Sequence, residues 1–228
     1  MAFRFGELGE RSLHKALKAY FCPPDGQDEV PFKGAIADLW SPTQGIIEIQ
    51  TRSLSKLQTK VRRYLDEGLK VTIVFPIAEQ RVIVRWNAER SVCLSRRRSP
   101  KKGRLEASFR EIGSLSTLLL EPGLCLKIVG IDEEEHRCQD GQGGWRLAGQ
   151  SRIDRVLVQV NTVKTLETKE DFRALVPSSW VPPATATDLA HCLNQTLRET
   201  QPLVSCLKKL KLLQFCGKRG RSELLCFP

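Results

Sequence analysis

The sequence predicts an α/β fold: a mixed sheet flanked by helices, followed by a small helix–helix–hairpin unit at the C-terminal end. Three observations predict it. Amphipathic helical stretches alternate with short β-branched runs over the first two thirds of the chain. A run of cations and a glycine-rich break interrupt that region without helical or strand period. Beyond about residue 165 the apolar spacing turns helical and ends on two short strands around a glycine- and cation-rich turn.

Leu8, Leu13, Ala16, Leu17 and Tyr20 recur at three- and four-residue steps, which predicts a helix over 9–20 with Lys15 and Lys18 off the apolar stripe. Pro23-Pro24-Asp25-Gly26 ends it. Short apolar runs at 30–32, 35–40 and 46–49 read as strands, the last two joined by the Pro42–Gly45 loop of a hairpin. Leu54, Leu57, Val61, Tyr64 and Leu65 mark a second helix over 53–67, capped by Gly68. Val71–Phe75 and Arg81–Trp86 read as two further strands, and Arg96–Arg104 as a loop. A helical stretch (109–119), a strand (125–131), a solvated acidic face at Glu133–Glu135, a Gly-rich linker at 141–144 and a strand (155–160) complete a first domain, 1–165. In the second, 166–228, Thr187 is a candidate N-cap for a short helix. A longer helix follows from Leu197 to Leu210, and then a hairpin over 213–227. Helix, helix, hairpin is the order of a winged helix-turn-helix module.

At 228 residues and 41% hydrophobic content the chain can bury a real core. Lysine and arginine outnumber acidic residues 36 to 26, and a net +10 favours a polyanionic partner. No apolar run approaches the roughly 20 residues of a membrane span, and the start lacks signal-peptide regions, so a cytoplasmic protein without a membrane partner is expected. The eight cysteines lack zinc-ligand spacing and read as free thiols.

The chemically informative stretch is Asp38, at the end of one strand, and Glu48-Ile49-Gln50 on the next. Glu48 and Gln50 are two apart and share a strand face. Folding the strands as a hairpin sets Asp38 beside Glu48. Paired carboxylates in an apolar sheet repel and resist desolvation unless a cation sits between them. A hard, oxygen-preferring ion, Mg²⁺ or Mn²⁺, suits that site, and phosphodiester hydrolysis uses such an ion. The plain alternative is a strand-end Asp38 and a Glu48 paired to Arg52 or Lys33.

This pattern resembles the PD-(D/E)XK nuclease superfamily in its Glu-x-Gln variant. The longer runs Gly9–Lys18, Glu48–Arg52 and Arg97–Lys101 resemble a family of bacterial proteins that pairs such a domain with a C-terminal winged helix. The resemblance covers nearly the whole chain. It implies a restriction-endonuclease-like core in which Glu10, Asp38 and Glu48 hold the metal, with Glu7 a rival to Glu10. Gln50 would position water and Lys60 would meet the phosphate. Two departures from the pattern stand out: Ala37, not proline, precedes Asp38, and Gln50 replaces lysine, so Lys60 or Lys33 must supply the cation.

Six cations fall in nine residues at Arg96, Arg97, Arg98, Lys101, Lys102 and Arg104, unmixed with acids, and read as phosphate contacts. Lys218, Arg219 and Arg221 sit at the expected wing tip. Lys208, Lys209 and Lys211 fit the DNA side of the second helix, and Arg198, Thr200 and Gln201 are candidates for base contact. His14 reads as an exposed helix residue or as a neighbour of the metal site. The leading expectation is a Mg²⁺-dependent deoxyribonuclease, with a homodimer left open. A DNA-binding regulator or scaffold that no longer cuts is the alternative, and an adaptor using its basic surface on an acidic protein or membrane a third.

Overall fold

A computed structural model describes residues 12–228; Glu7 and Glu10 lie outside the described residues. In chain order, α1 (Ser12–Phe21) precedes β1 (Gln27–Phe32), β2 (Ala35–Ser41) and β3 (Gly45–Ile49), an antiparallel meander. A 3-10 turn leads into α2 (Gln58–Asp66). The strand β4 (Val71–Trp86) then runs parallel to β3 and is continued by the antiparallel β5 (Cys93–Arg98). After α3 (Leu105–Ile112), β6 (Leu124–Cys138) lies parallel to β4, and β7 (Ser151–Leu166) closes that side antiparallel to β6. The sheet is mixed and seven-stranded.

Side chains alternate across a strand, and two clusters record it. Ile46, Ile73, Phe75 and Ile128 pack with Leu54, Val61, Tyr64 and Phe109 on one face. Their neighbours Ile47, Ile49, Val74 and Val129 pack with Leu13 and Leu17 of α1 on the other. Each fully buried leucine of α1 contributes about 2 kcal/mol on an area basis. Gly45 makes the tight β2–β3 turn with φ +79°; a Cβ there would meet the Lys70 carbonyl oxygen at 2.3 Å.

β3 is five residues and β4 sixteen, so β4 and β6 run on past the end of β3, and β5 occupies the place beside β4 that β3 leaves. The extension corrects several expectations. The runs at 71–75 and 81–86 are one strand, its register shifting at 78–80 rather than breaking. Arg96–Arg98 belong to β5, paired to Val84, Ile83 and Val82. Glu133–Glu135 are not a solvated face but lie inside β6, Glu133 and Glu135 fully buried. Lys18 is also buried, its ammonium 2.5 Å from Asp28 and 3.3 Å from Glu29, while Tyr20 is exposed.

After β7 come α4 (Lys169–Arg173), α5 (Ala186–Cys192), α6 (Leu197–Lys209) and the hairpin β8 (Gln214–Arg219) with β9 (Ser222–Cys226). Their apolar residues Leu189, Leu203, Val204, Leu207 and Leu225 join the same cluster as Phe109 and Ile112 of α3. Arg104 donates to the Asn194 carbonyl at 2.9 Å across this junction. Thr185, not Thr187, caps α5: its hydroxyl accepts from the Asp188 amide at 3.1 Å, and Asp188 accepts from the Thr185 amide at 2.7 Å. Arg219 of the hairpin donates to that same pair. Thr185→Ala is therefore expected to cost about 1 kcal/mol. In thermal denaturation this is a fall in Tm of about 2–4 °C, and an unchanged Tm would show that the cap contributes nothing.

Candidate functional site

The register Leu39↔Ile47 brings Asp38 and Glu48 together at the end of the β2–β3 ladder. Instead of continuing that ladder, Asp38 Oδ2 accepts the Ile49 amide at 2.8 Å. His14 reaches the same oxygen from α1, Nε2 at 3.3 Å. From the opposite face Lys60 of α2 donates to Glu48 Oε2 at 2.7 Å. The two helices thus close on the carboxylate pair from the two sides of the sheet. His14 is therefore a partner of Asp38, not a free helix residue, and Lys60 meets Glu48 directly.

The electrostatics divide the pair. Burial works to raise the Asp38 carboxyl, but the His14 hydrogen bond, the Ile49 amide and the Lys60 charge outweigh it and hold it below its ordinary value. Glu48 goes the other way: burial first and the Asp38 charge second push it up to about 7, against the pull of Lys60. Its second oxygen, Oε1, is buried without a hydrogen-bond partner among the described residues. Burial, followed by the charges of Glu48 and Asp38, pushes the neighbouring Tyr64 hydroxyl up to about 12. Gln50 is half-buried, and its backbone N–H donates to the Val74 carbonyl at 2.9 Å.

An acid whose folded pKa is raised favours its protonated form on folding. Below its ordinary 4.5 Glu48 is protonated folded and unfolded, so it exerts no penalty. Between 4.5 and about 7 stability falls, and above 7 the loss levels off. At 1.36 kcal/mol per unit that loss is about 3 kcal/mol. Glu48→Gln is expected to recover it in metal-free protein at pH 8 and to change little at pH 4. Denaturation curves at both values check this, and equal stability of the two proteins at pH 8 would refute it.

Among the described residues no three His, Cys, Asp or Glu side chains form a group able to hold a metal. Asp38 and Glu48 supply two carboxylates, and Glu10, the expected third, lies outside the described residues. Two suffice in kind for Mg²⁺, which commonly binds through one or two carboxylates with substrate phosphates and water completing its shell. The repulsion within the pair and the unpartnered Glu48 Oε1 fit a cation there. Lys33 pairs with Glu67 at 3.4 Å, whereas Lys60 is the ammonium on Glu48. A cleft of about 500 Å³ opens elsewhere, at the start of β4 and β6 between Lys70, Thr72, Cys125 and Lys127, and includes none of these residues.

The basic positions divide. Arg97, Arg98, Lys101 and Lys102 are exposed. The segment carrying the two lysines is held along β4, with Ser99 N to the Arg81 carbonyl at 2.7 Å and Gly103 N to the Ala78 carbonyl at 2.6 Å. Arg96 instead pairs with Glu134, and Arg104 with Asn194. In the C-terminal part Lys218 and Arg221 are exposed, Lys208 pairs with Glu223 at 2.8 Å, and Arg219 with Asp188. Arg198, Gln201, Ser205 and Lys209 line the exposed side of α6. Thr200 is fully buried and donates to the Thr196 carbonyl at 3.2 Å, so it is no base contact.

Four arginines were missed in the sequence. Arg81 and Arg155 clasp Glu133, with Arg81 Nε at 2.6 Å and Arg155 Nε at 2.8 Å. Arg137 and Arg152 hold Glu135 at 2.6 and 3.0 Å. The available signal was the two-residue step Glu133, Glu135, Arg137, which a strand read through to residue 138 would have put on one face.

The fold and site are those of a mixed α/β domain with a paired-carboxylate strand hairpin. The chain belongs to a family defined by a domain of unknown function, DUF8091, which matches residues 11–167. It is similar to an uncharacterised protein of Treponema pallidum (strain Nichols), with 32% identity over 221 residues covering 94% of this chain and 84% of the relative. No solved structure matches. Among the described residues no helix is long and apolar enough to cross a membrane.

Proposed function

We propose that this protein is a metal-dependent nuclease of the PD-(D/E)XK type that hydrolyses phosphodiester bonds of DNA. In this reading residues 166–228 form a winged helix that delivers the duplex. The observation that carries it is the Asp38–Glu48 pair: two abutting carboxylates, one pushed up to about 7 and left with a buried, unpartnered oxygen, beside a single lysine. Asp38 and Glu48 would hold Mg²⁺ or Mn²⁺, with Glu10 the third ligand the resemblance implies. The ion's chemistry is to activate water and to neutralise charge developing on the phosphate.

The chain's own groups do the rest. His14 and the Ile49 amide fix the Asp38 carboxylate. The Gln50 amide orients water but, being neutral, cannot offset phosphate charge. The Lys60 ammonium, reaching the site from α2, supplies the cation that the strand lacks. Exposed Arg97, Arg98, Lys101 and Lys102, with Lys218 and Arg221 on the hairpin, contact the backbone.

Gln50 at the lysine position favours a second reading, a DNA-binding regulator or scaffold on a nuclease-derived fold. Incubating the full chain with linear, supercoiled, single-stranded and branched DNA and with RNA, in Mg²⁺ or Mn²⁺ and again with chelator, separates the two. Metal-dependent cutting supports the nuclease. Binding without cutting on every substrate moves the assignment to the regulator, and a shallow salt dependence of binding would disfavour both.

A further inference from the structure

We infer that the face of the β4–β6–β7 extension bearing Arg81, Arg137, Arg152 and Arg155 is a track for the phosphodiester backbone of the nucleic acid, leading into the carboxylate pair. This rests on the nuclease reading for the identity of its occupant.

Charge comes first. Glu133 and Glu135 are buried, with side chains 0% and 1% exposed, and four guanidiniums surround them. Among the described residues, two carboxylates pair with four guanidiniums, which leaves two of the positive charges without a carboxylate of their own. Asp154, the next buried acid on β7, makes no ion pair with them among the described residues: its oxygens accept from Ser12 and from the Arg155 backbone amide at 2.8 Å. Partly desolvated cations in excess are costly unless an anion joins them. A network built only for stability has no need of the surplus.

Geometry comes second. A guanidinium carries five N–H donors in a rigid fork. Arg137 directs Nε and Nη2 at Glu135, and Arg152 directs Nε there, which leaves Arg152, 40% exposed, with both terminal nitrogens beyond that ion pair. The buried glutamates hold the forks in place, so binding a phosphate requires little further ordering.

Position comes third. Arg155 Nη1 donates to the Thr51 carbonyl at 3.2 Å, one residue beyond Gln50. The cluster therefore abuts the carboxylate hairpin, on the continuation of the strands past the end of β3. A backbone lying across it would put successive phosphates on the arginines and one at Asp38–Glu48. An acidic protein segment would use the same donors but would not compete with DNA for the carboxylate site.

The test is fluorescence anisotropy of a labelled DNA duplex with the full chain across a salt series, for wild type, Arg152→Gln and Arg152→Lys. One lost phosphate contact makes the slope of log affinity against log salt shallower by about 0.9, an affinity loss of about eightfold at 0.1 M salt. Arg152→Gln is expected to show both changes and Arg152→Lys to restore the slope. Circular dichroism and Tm establish that each variant is folded, which the exposure of Arg152 favours. Unchanged slope and affinity in Arg152→Gln, with wild type binding and cutting DNA, would overturn the track and leave the nuclease standing. A wild type that neither binds nor cuts overturns both.

Discussion

Asp38→Asn is expected to reduce Mg²⁺-dependent cleavage by about three orders of magnitude or more, with DNA affinity unchanged or raised. The substitution keeps the shape and the contact with the Ile49 amide. It removes the charge that His14 and Lys60 hold ionised. An ion that activates water and neutralises phosphate charge supplies several kcal/mol of transition-state stabilisation, and each 1.36 kcal/mol is a factor of ten in rate. Affinity should hold because the substitution leaves every cation assigned to the backbone in place, on β5, the segment after it, the C-terminal hairpin and the arginine face of β4, β6 and β7, and because one negative charge fewer faces the phosphates. Single-turnover cleavage beside anisotropy binding gives both numbers. Retained cutting removes Asp38 from the metal site, and lost binding with lost cutting makes it a structural residue. Lys60→Met is a companion: it should slow cleavage too, and it takes from Glu48 the ammonium 2.7 Å away, so metal-free protein should lose stability at neutral pH.

The second large effect is on stability. Glu133→Gln is expected to destabilise the fold by about 3–5 kcal/mol, because it strips a buried carboxylate from two guanidiniums that remain. For a chain of this size that is a fall in Tm of about 10 °C. Glu134→Gln, one residue on, should cost about 1 kcal/mol or less: its partner Arg96 is exposed, the pair is screened by solvent, and a glutamine can still face His136 Nε2, which lies 3.5 Å away. Equal costs at 133 and 134 would mean that the alternation of β6 does not carry the network.

These neighbours show how far the sequence could be read. Helices α1 and α2, the β2–β3 hairpin and the C-terminal helix–helix–hairpin order were legible, since apolar period and turn residues act over a few positions. So was the meeting of Asp38 and Glu48: a tight loop fixes hairpin register, and register fixes which side chains face each other. The Glu133–Glu135 run was misread because charge density alone suggests water. Strand β6 continues through it only because β4 and β7 extend alongside. Similarly, the cations at 96–104 read as one cluster, whereas the fold takes Arg96 to Glu134 and Arg104 to the Asn194 carbonyl in the α5–α6 connection.

Residue type and spacing therefore carry the local features: element type, the hairpin, its two carboxylates and the excess of positive charge. Which partner each polar group meets comes from long-range packing. Lys60 rather than Lys33 reaches Glu48, His14 meets Asp38, Thr200 is buried, and four arginines from three strands converge on two glutamates. The physical reason is range. Propensity and periodicity act within a few residues, whereas burial, desolvation and ion pairing depend on partners that are 12 positions away for Lys60 and Glu48 and 52 for Arg81 and Glu133.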